Sequence, residues 1–255
     1  MMSETKDIFV PTNQSDTADS WRTLVLLHGS GYAAPVWDDL SARLHDGPFR
    51  TIVAPDLPGH GARAGEPPPA PASVAAYAAD VRAGLERHGL AGVTLLGHSL
   101  GSAIALRLAL AAPHLVARVG LVGAGARLRV LPALLTAARD QPEEARRQVF
   151  TLALTPSHAD RAAGHVARMG PLAPGALFAD LSACDGFDMM ADLGGIAQPC
   201  LIVVGMNDQL TPPKYAAYLA AHLPHATLRE LPDAGHSAHL DAPDSLAHAL
   251  TEWAG

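Results

Sequence analysis

The sequence predicts an α/β fold, a doubly wound, mostly parallel sheet with an inserted helical cap. Short apolar runs rich in Val, Leu and Ile alternate with longer helical patterns, as right-handed strand–helix–strand crossovers require. Most of these runs are apolar on both faces, which suits strands covered by helices on either side. Between Ala124 and Gly195, by contrast, nothing reads as a strand, and Pro132, Pro142, Pro156, Pro171 and Pro174 punctuate helical pieces. The expected division is a core of residues 1–123 and 196–255 and a cap of residues 124–195.

TLVLLH (23–28) is the first strand expected, followed by TIVAP (51–55), VTLLGH (93–98), VGLVG (119–123) and CLIVVG (200–205). Each is too short for a helix. ATLRELP (226–232) alternates apolar and polar residues, so it belongs nearer the sheet edge. Helices are expected over Pro35–Leu44, Ser73–His88, Ser99–Ala112, Pro213–His222 and Ala242–Trp253. Inside the insertion, helical pieces fall at Leu131–Arg139, Glu143–Leu154 and Ala159–Met169. PPPAPAS (67–73) reads as an extended, solvated loop.

Composition narrows the function. The chain of 255 residues is 49% hydrophobic and 17% charged, which excludes a disordered polymer. Its net charge of −7 argues against a nucleic-acid surface. No apolar run is long enough to span a bilayer, and the polar, acid-bearing start MMSETKDIFVPTNQSD is unlike a secretory or transit peptide, so the expected location is cytoplasmic. Cys184 and Cys200 form no CxxC pair, so a metal or redox centre is not expected, and Cys200 reads as a core thiol.

The strongest chemical signal is Gly97-His98-Ser99-Leu100-Gly101, a G-x-S-x-G pattern with a strand before it and a helix after it. The serine of such an elbow sits on a strained turn that side chains at 97 and 101 would obstruct. The turn lifts the Ser99 hydroxyl above the sheet and leaves the Leu100 N–H free at a helix N-terminus, where developing negative charge is stabilised. A serine needs a base, and the base an orienting acid, in the chain order Ser, Asp or Glu, His. His236, in Pro-Asp-Ala-Gly-His after the last strand, is the candidate base, with His239 its rival. Asp208, in the loop after CLIVVG, is the candidate acid; Asp185 and Asp188 are weaker ones, and Asp233 reads as a turn residue. The loop His28-Gly29-Ser30-Gly31 after the first strand offers the Ser30 N–H as a second oxyanion donor, with His28 in a structural role.

Taken together, HGSGY (28–32), APDLPGHG (54–61), GHSLG (97–101), VGMNDQLTPP (204–213) and PDAGHSAHL (232–240) resemble the α/β-hydrolase superfamily. More narrowly, they resemble its bacterial serine esterase, C–C hydrolase and haloperoxidase-like members. The resemblance implies an α/β-hydrolase core with Ser99 as nucleophile, Asp208 as acid, His236 as base, and the Ser30 and Leu100 amides as oxyanion hole. It implies that DLPGHG supports the site, with His60 structural, and that LSACDGFDMM ends the cap. It also implies that the initial antiparallel strands of the family are reduced, because the chain before TLVLLH is short and polar.

The expected function is therefore hydrolysis of a carboxylic ester through an acyl-enzyme on Ser99, with no cofactor and no metal. The partner is a small-molecule ester or related acyl substrate, with neither nucleic acid nor membrane. C–C bond hydrolysis, or cleavage of a carrier-linked acyl ester, would use the same triad. A ligand receptor or a cofactor-free non-hydrolytic enzyme is the alternative from another class. Of the apolar cap residues Leu128, Val130, Leu131, Leu134, Leu135, Val149, Phe150, Leu154, Met169, Leu172, Phe178, Met189 and Met190, most are expected to form the cap's own core and a few to line an apolar acyl pocket. Seven cap arginines (127, 129, 139, 146, 147, 161 and 168) face only four acids (140, 143, 144 and 160). A solvated helix face accounts for them, although they also offer a docking face for an acidic carrier protein.

Overall fold

The structure is a computed structural model and describes residues 17–255. Residues 1–16, where the reduced antiparallel strands were expected, lie outside the described residues.

Six strands are described: β1 (Thr23–Leu27), β2 (Thr51–Val53), β3 (Val93–His98), β4 (Val116–Val122), β5 (Cys200–Gly205) and β6 (Ala226–Leu231). They form one sheet in the order β2-β1-β3-β4-β5-β6, with every pairing parallel. All residues of β1, β3 and β5 are buried, whereas β6 at the edge is half-exposed. This is the difference between continuous and alternating apolar patterns that the sequence displays. The helices are α1 (Asp38–Arg43), α2 (Val74–Arg87), α3 (Leu100–Ala111), α4 (Pro132–Asp140) and α5 (Pro142–Ala153), followed by α6 (Ala162–Met169), α7 (Ala176–Asp185), α8 (Pro213–His222), α9 (Ala238–Asp241) and α10 (Pro243–Ala254).

Side chains alternate across the sheet with period two and feed two cores. Val25, Leu27, Leu95, Val119 and Ile202 pack with α2, α3 and α8 on one face. Leu24, Leu26, Leu96, Leu201 and Val203 pack with α1 and α10 on the other. The chain moves from β1 outward to β2, then crosses back to β3 and continues to β6. The reversal lies between β1 and β3, and ligands in open α/β sheets bind at such a point, beyond the carboxyl ends of the strands. Both the loop after β1 and Ser99 after β3 stand there.

Three elements differ from expectation, one being the short α9, which no expected helix covered. β4 begins at Val116 rather than at residue 119. Arg118 interrupts the apolar run in sequence, but its guanidinium stacks over Trp21, 4.5 Å from the ring centroid, and the residue is half-buried. The helix α7 was not anticipated. Its residues Leu177, Ala179, Asp180, Leu181, Ala183 and Cys184 are buried on nearly every side, leaving no polar stripe and therefore no 3.6-residue period to read. Residues 67–73 take no regular structure and are partly to fully exposed, as expected.

Helices α4 to α7 lie between β4 and β5 in the chain. They hold a small apolar cluster of Ala138, Ala145, Leu177 and Leu181. Other residues of this stretch join the cores of the sheet: Leu128, Cys184 and Met189 on one face, Phe150 and Met169 on the other. The segment is thus spliced into the packing above the strand ends.

Candidate active site

Ser99 occupies φ 53°, ψ −114°, and is the one non-glycine residue at positive φ among the described residues. The elbow is held in this conformation from both sides. The Ser99 N–H donates to the Val122 carbonyl at 3.0 Å, and the Ser99 carbonyl accepts from the Ser102 N–H at 2.9 Å and the Ser102 hydroxyl at 2.6 Å. A Cβ on Gly97 would collide with the Gly101 carbonyl, and one on Gly101 with the Leu27 carbonyl, so the turn closes only with glycine at both positions.

Asp208 and His236 meet directly. Residues 234–236 lie against the end of β5, so near that a Cβ on Gly205 would overlap the Ala234 and Gly235 carbonyls. The His236 Nδ1–H donates to Asp208 Oδ2 at 2.9 Å, with both groups buried. Asp208 Oδ1 accepts the Leu210 and Thr211 amides, each at 2.8 Å, and Oδ2 accepts the Thr211 hydroxyl at 2.8 Å. Burial opposes the Asp208 charge, but His236 and the Thr211 donors outweigh it and hold the carboxyl below its ordinary range. Gly123, at φ +56°, passes so close that a Cβ would sit 2.8 Å from His236 Nδ1.

Ser99 and His236 share the wall of one cavity of about 360 Å³, without a hydrogen bond between them in this structure. A contact between a candidate nucleophile and its candidate base is commonly loose before substrate binds. Of the thirteen apolar cap residues, Leu128, Val130, Leu131, Leu134 and Val149 line the cavity, with Leu152 and Leu181 added, whereas Phe150, Met169 and Met189 pack into the cores of the sheet. Ser30 lines it too. Among the described residues, neither the Ser30 nor the Leu100 amide meets an acceptor, so both N–H groups are available.

The rival residues lie elsewhere. His239 is fully buried between Trp37 and His98, and burial pushes it down to about 3. Asp185 accepts the Val130 amide, Asp188 pairs with Arg127, and Asp233 is exposed. His28 accepts the Leu57 amide on Nε2 and donates from Nδ1 to the Gly29 carbonyl, so it braces the loop as a neutral ring.

Sequence reasoning missed the groups that hold the loop after β1. Asp180 of α7 is wholly buried, and its Oδ2 accepts the Gly31 N–H at 2.9 Å. On the other side of that residue, Arg146 of α5 donates from Nε to the Gly31 carbonyl at 2.8 Å and from Nη1 to Gly170 at 2.7 Å. Arg146 is 2% exposed, so it does not belong to the solvated arginine face expected of the cap. Asp180 also accepts Tyr77 at 2.6 Å and His60 Nε2 at 2.9 Å. Thr211 and Ser102 were missed as well, because a lone hydroxyl in a loop or helix carries no pattern. Cys184 proves to line the cavity that Ser99 and His236 share, with Sγ 3.6 Å from the Ser30 hydroxyl, and burial pushes its thiol up to about 12.

Both ring nitrogens of His60 face acceptors, Pro58 O at 3.0 Å and Asp180, so the imidazolium is the form that satisfies them. Burial opposes that charge, but Asp180 outweighs it and raises the pKa above 6.5. His60 therefore binds its proton more tightly folded than unfolded. Its contribution to stability is complete below pH 6.5 and lost as pH rises through the raised value. The difference in melting temperature between wild type and His60→Gln should accordingly shrink as pH is raised. A gap that widens with pH would contradict the charged assignment.

A sequence model of the Alpha/beta hydrolase family matches residues 24–249. The chain belongs to the α/β-hydrolase family. Over 248 residues the hydrolase is 32% identical to the pimeloyl-[acyl-carrier protein] methyl ester esterase of Aromatoleum aromaticum, covering 88% of this chain and 94% of the relative. It superposes on a thermophilic esterase with TM-score 0.72 and 30% identity, covering 91% and 88% of the two chains. The enol-lactonase of Burkholderia xenovorans LB400 shares the fold, with TM-score 0.83 at 22% identity over 91% and 90% of the chains. No helix among the described residues of the hydrolase is long and apolar enough to cross a membrane.

Proposed function

We propose that the protein is a serine esterase that cleaves a carboxylic ester through an acyl-enzyme on Ser99. The observation that carries the reading is the buried Asp208–His236 pair opening onto the cavity that Ser99 also lines. His236 Nε2 takes the Ser99 proton as Oγ attacks the ester carbonyl. The tetrahedral oxyanion lies between the Ser30 and Leu100 amides. As it collapses, the C–O bond to the alcohol breaks and His236 gives its proton to the leaving oxygen. Water, deprotonated by His236, then attacks the acyl-enzyme, and the acid departs as Ser99 regains its proton. Asp208 keeps Nδ1 protonated, so that Nε2 is the basic nitrogen, and stabilises the imidazolium.

Residues 124–195 act in this reading as a cap that supplies the acyl pocket. A carrier-linked ester is the second reading, favoured by two relatives with the same printed name, the second from Nitrosomonas europaea at 30% identity over 90% of this chain. Two buried free cysteines fit a reducing, cytoplasmic setting. Pre-steady-state hydrolysis of p-nitrophenyl butyrate tests the proposal. A burst of nitrophenol stoichiometric with enzyme, or steady turnover lost in Ser99→Ala, is expected. Tight ester binding with no turnover would favour a receptor instead.

A further inference from the structure

Next to the catalytic cavity lies a second one of about 270 Å³. Its walls include Arg127, Arg129, Lys214, Tyr215 and Tyr218, and it shares Arg129 and Tyr215 with the catalytic cavity. Three cations around one hollow are unusual in a chain of net charge −7 with only two lysines. One of them is offset, since Arg127 faces Asp188 at 3.6 Å. The other two are not. Arg129 spends one nitrogen, Nη1, on the Leu128 and Asp185 carbonyls, and neither Arg129 nor Lys214 has a carboxylate partner among the described residues. Lys214 stands in the first turn of α8, a ten-residue helix whose N-terminus adds a partial positive charge. The remaining guanidinium nitrogens of Arg129 and the Lys214 ammonium provide donors suited to an oxygen anion.

From these observations we infer that the second cavity is an anion subsite, and that the substrate is an ester carrying a carboxylate or phosphate on a limb that extends past Arg129 and Tyr215. The inference rests on the serine-esterase reading and names its substrate class. Apolar walls near Ser99 take the uncharged part, and the charged end lies between Arg129 and Lys214. Because both cations are exposed, the attraction is screened by salt.

Matched esters test the subsite. p-Nitrophenyl pentanoate and mono-p-nitrophenyl glutarate have the same chain length and differ by a terminal carboxylate; phenyl acetate and 4-acetoxyphenyl phosphate probe a phosphate on the alcohol side. For wild type, at least one charged ester should exceed its neutral partner in kcat/KM, mainly through KM, and the advantage should fade in high salt. In the Arg129→Gln/Lys214→Gln double variant the charged-to-neutral ratio of kcat/KM should fall by roughly tenfold, the neutral esters serving to correct for any change in the wall that Arg129 shares with the cavity of Ser99. A gain confined to the glutarate assigns a carboxylate, and one confined to the phosphate ester assigns a phosphate-bearing arm. Equal charged-to-neutral ratios in wild type and double variant would overturn the subsite. Failure of the esterase reading looks different, because then wild type would hydrolyse none of the neutral esters.

Discussion

Ser99→Ala is expected to lower ester kcat by roughly 10⁵-fold or more, and His236→Ala by a similar factor, because nucleophile and base act as one unit and their losses do not add. The Ser99 side chain donates no hydrogen bond that holds the fold; Ser102 pins the elbow through the Ser99 backbone, so the alanine variant should melt as wild type does. His236→Ala differs. It removes a donor from the buried Asp208 carboxylate, which then relies on the Leu210 and Thr211 groups alone, and some thermal stability should be lost. Circular dichroism at the assay temperature separates the two effects. Activity retained by either folded variant would remove that residue from the mechanism.

Asp180→Ala should produce the second-largest fall, roughly 10²-fold in kcat, although Asp180 lines no part of the cavity that holds Ser99 and His236. The Asp180 carboxylate fixes the Gly31 N–H, and Arg146 fixes the Gly31 carbonyl. Both grips fall one residue beyond the Ser30 amide that is proposed to meet the oxyanion. An oxyanion donor works only when it is aimed before the charge develops, so releasing the neighbouring peptide lowers the rate more than substrate affinity. The variant also strands the His60 charge and should be less stable. A purely structural role would reduce the folded fraction and leave the properties of the folded molecules intact. The positioning role instead predicts that the Ki of a trifluoromethyl ketone, which mimics the tetrahedral intermediate, rises in step with the fall in kcat/KM while KM stays nearly constant. Folded Asp180→Ala with wild-type kcat would remove the clamp from the account.

Legibility in the sequence follows how local each feature is. Gly97, Ser99 and Gly101 carry their constraint within five residues, and the strand and helix beside them are strong patterns. Asp208 and His236 were legible because each follows a buried or alternating run by a few residues, so the loop position alone narrows the choice. The clamp was not. Asp180 sits on a helix buried all round, and Arg146 is one arginine among seven whose spacing suits a wet face. Its burial depends on α5 packing above the loop after β1, which no periodicity in either segment records. Likewise, Arg118 is accommodated half-buried in β4 because Trp21 and Trp253 supply ring faces from distant parts of the chain. The cavity beside Arg129 arises from residues 126–129, 190 and 214–218 together, and none of these stretches signals it alone.

The most direct test of the account is covalent labelling with a fluorophosphonate, followed by peptide mapping. One adduct per chain is expected, on Ser99, abolishing ester turnover in proportion to labelling and forming far more slowly in His236→Ala. An adduct on any other residue, or full turnover by enzyme labelled at Ser99, would contradict it.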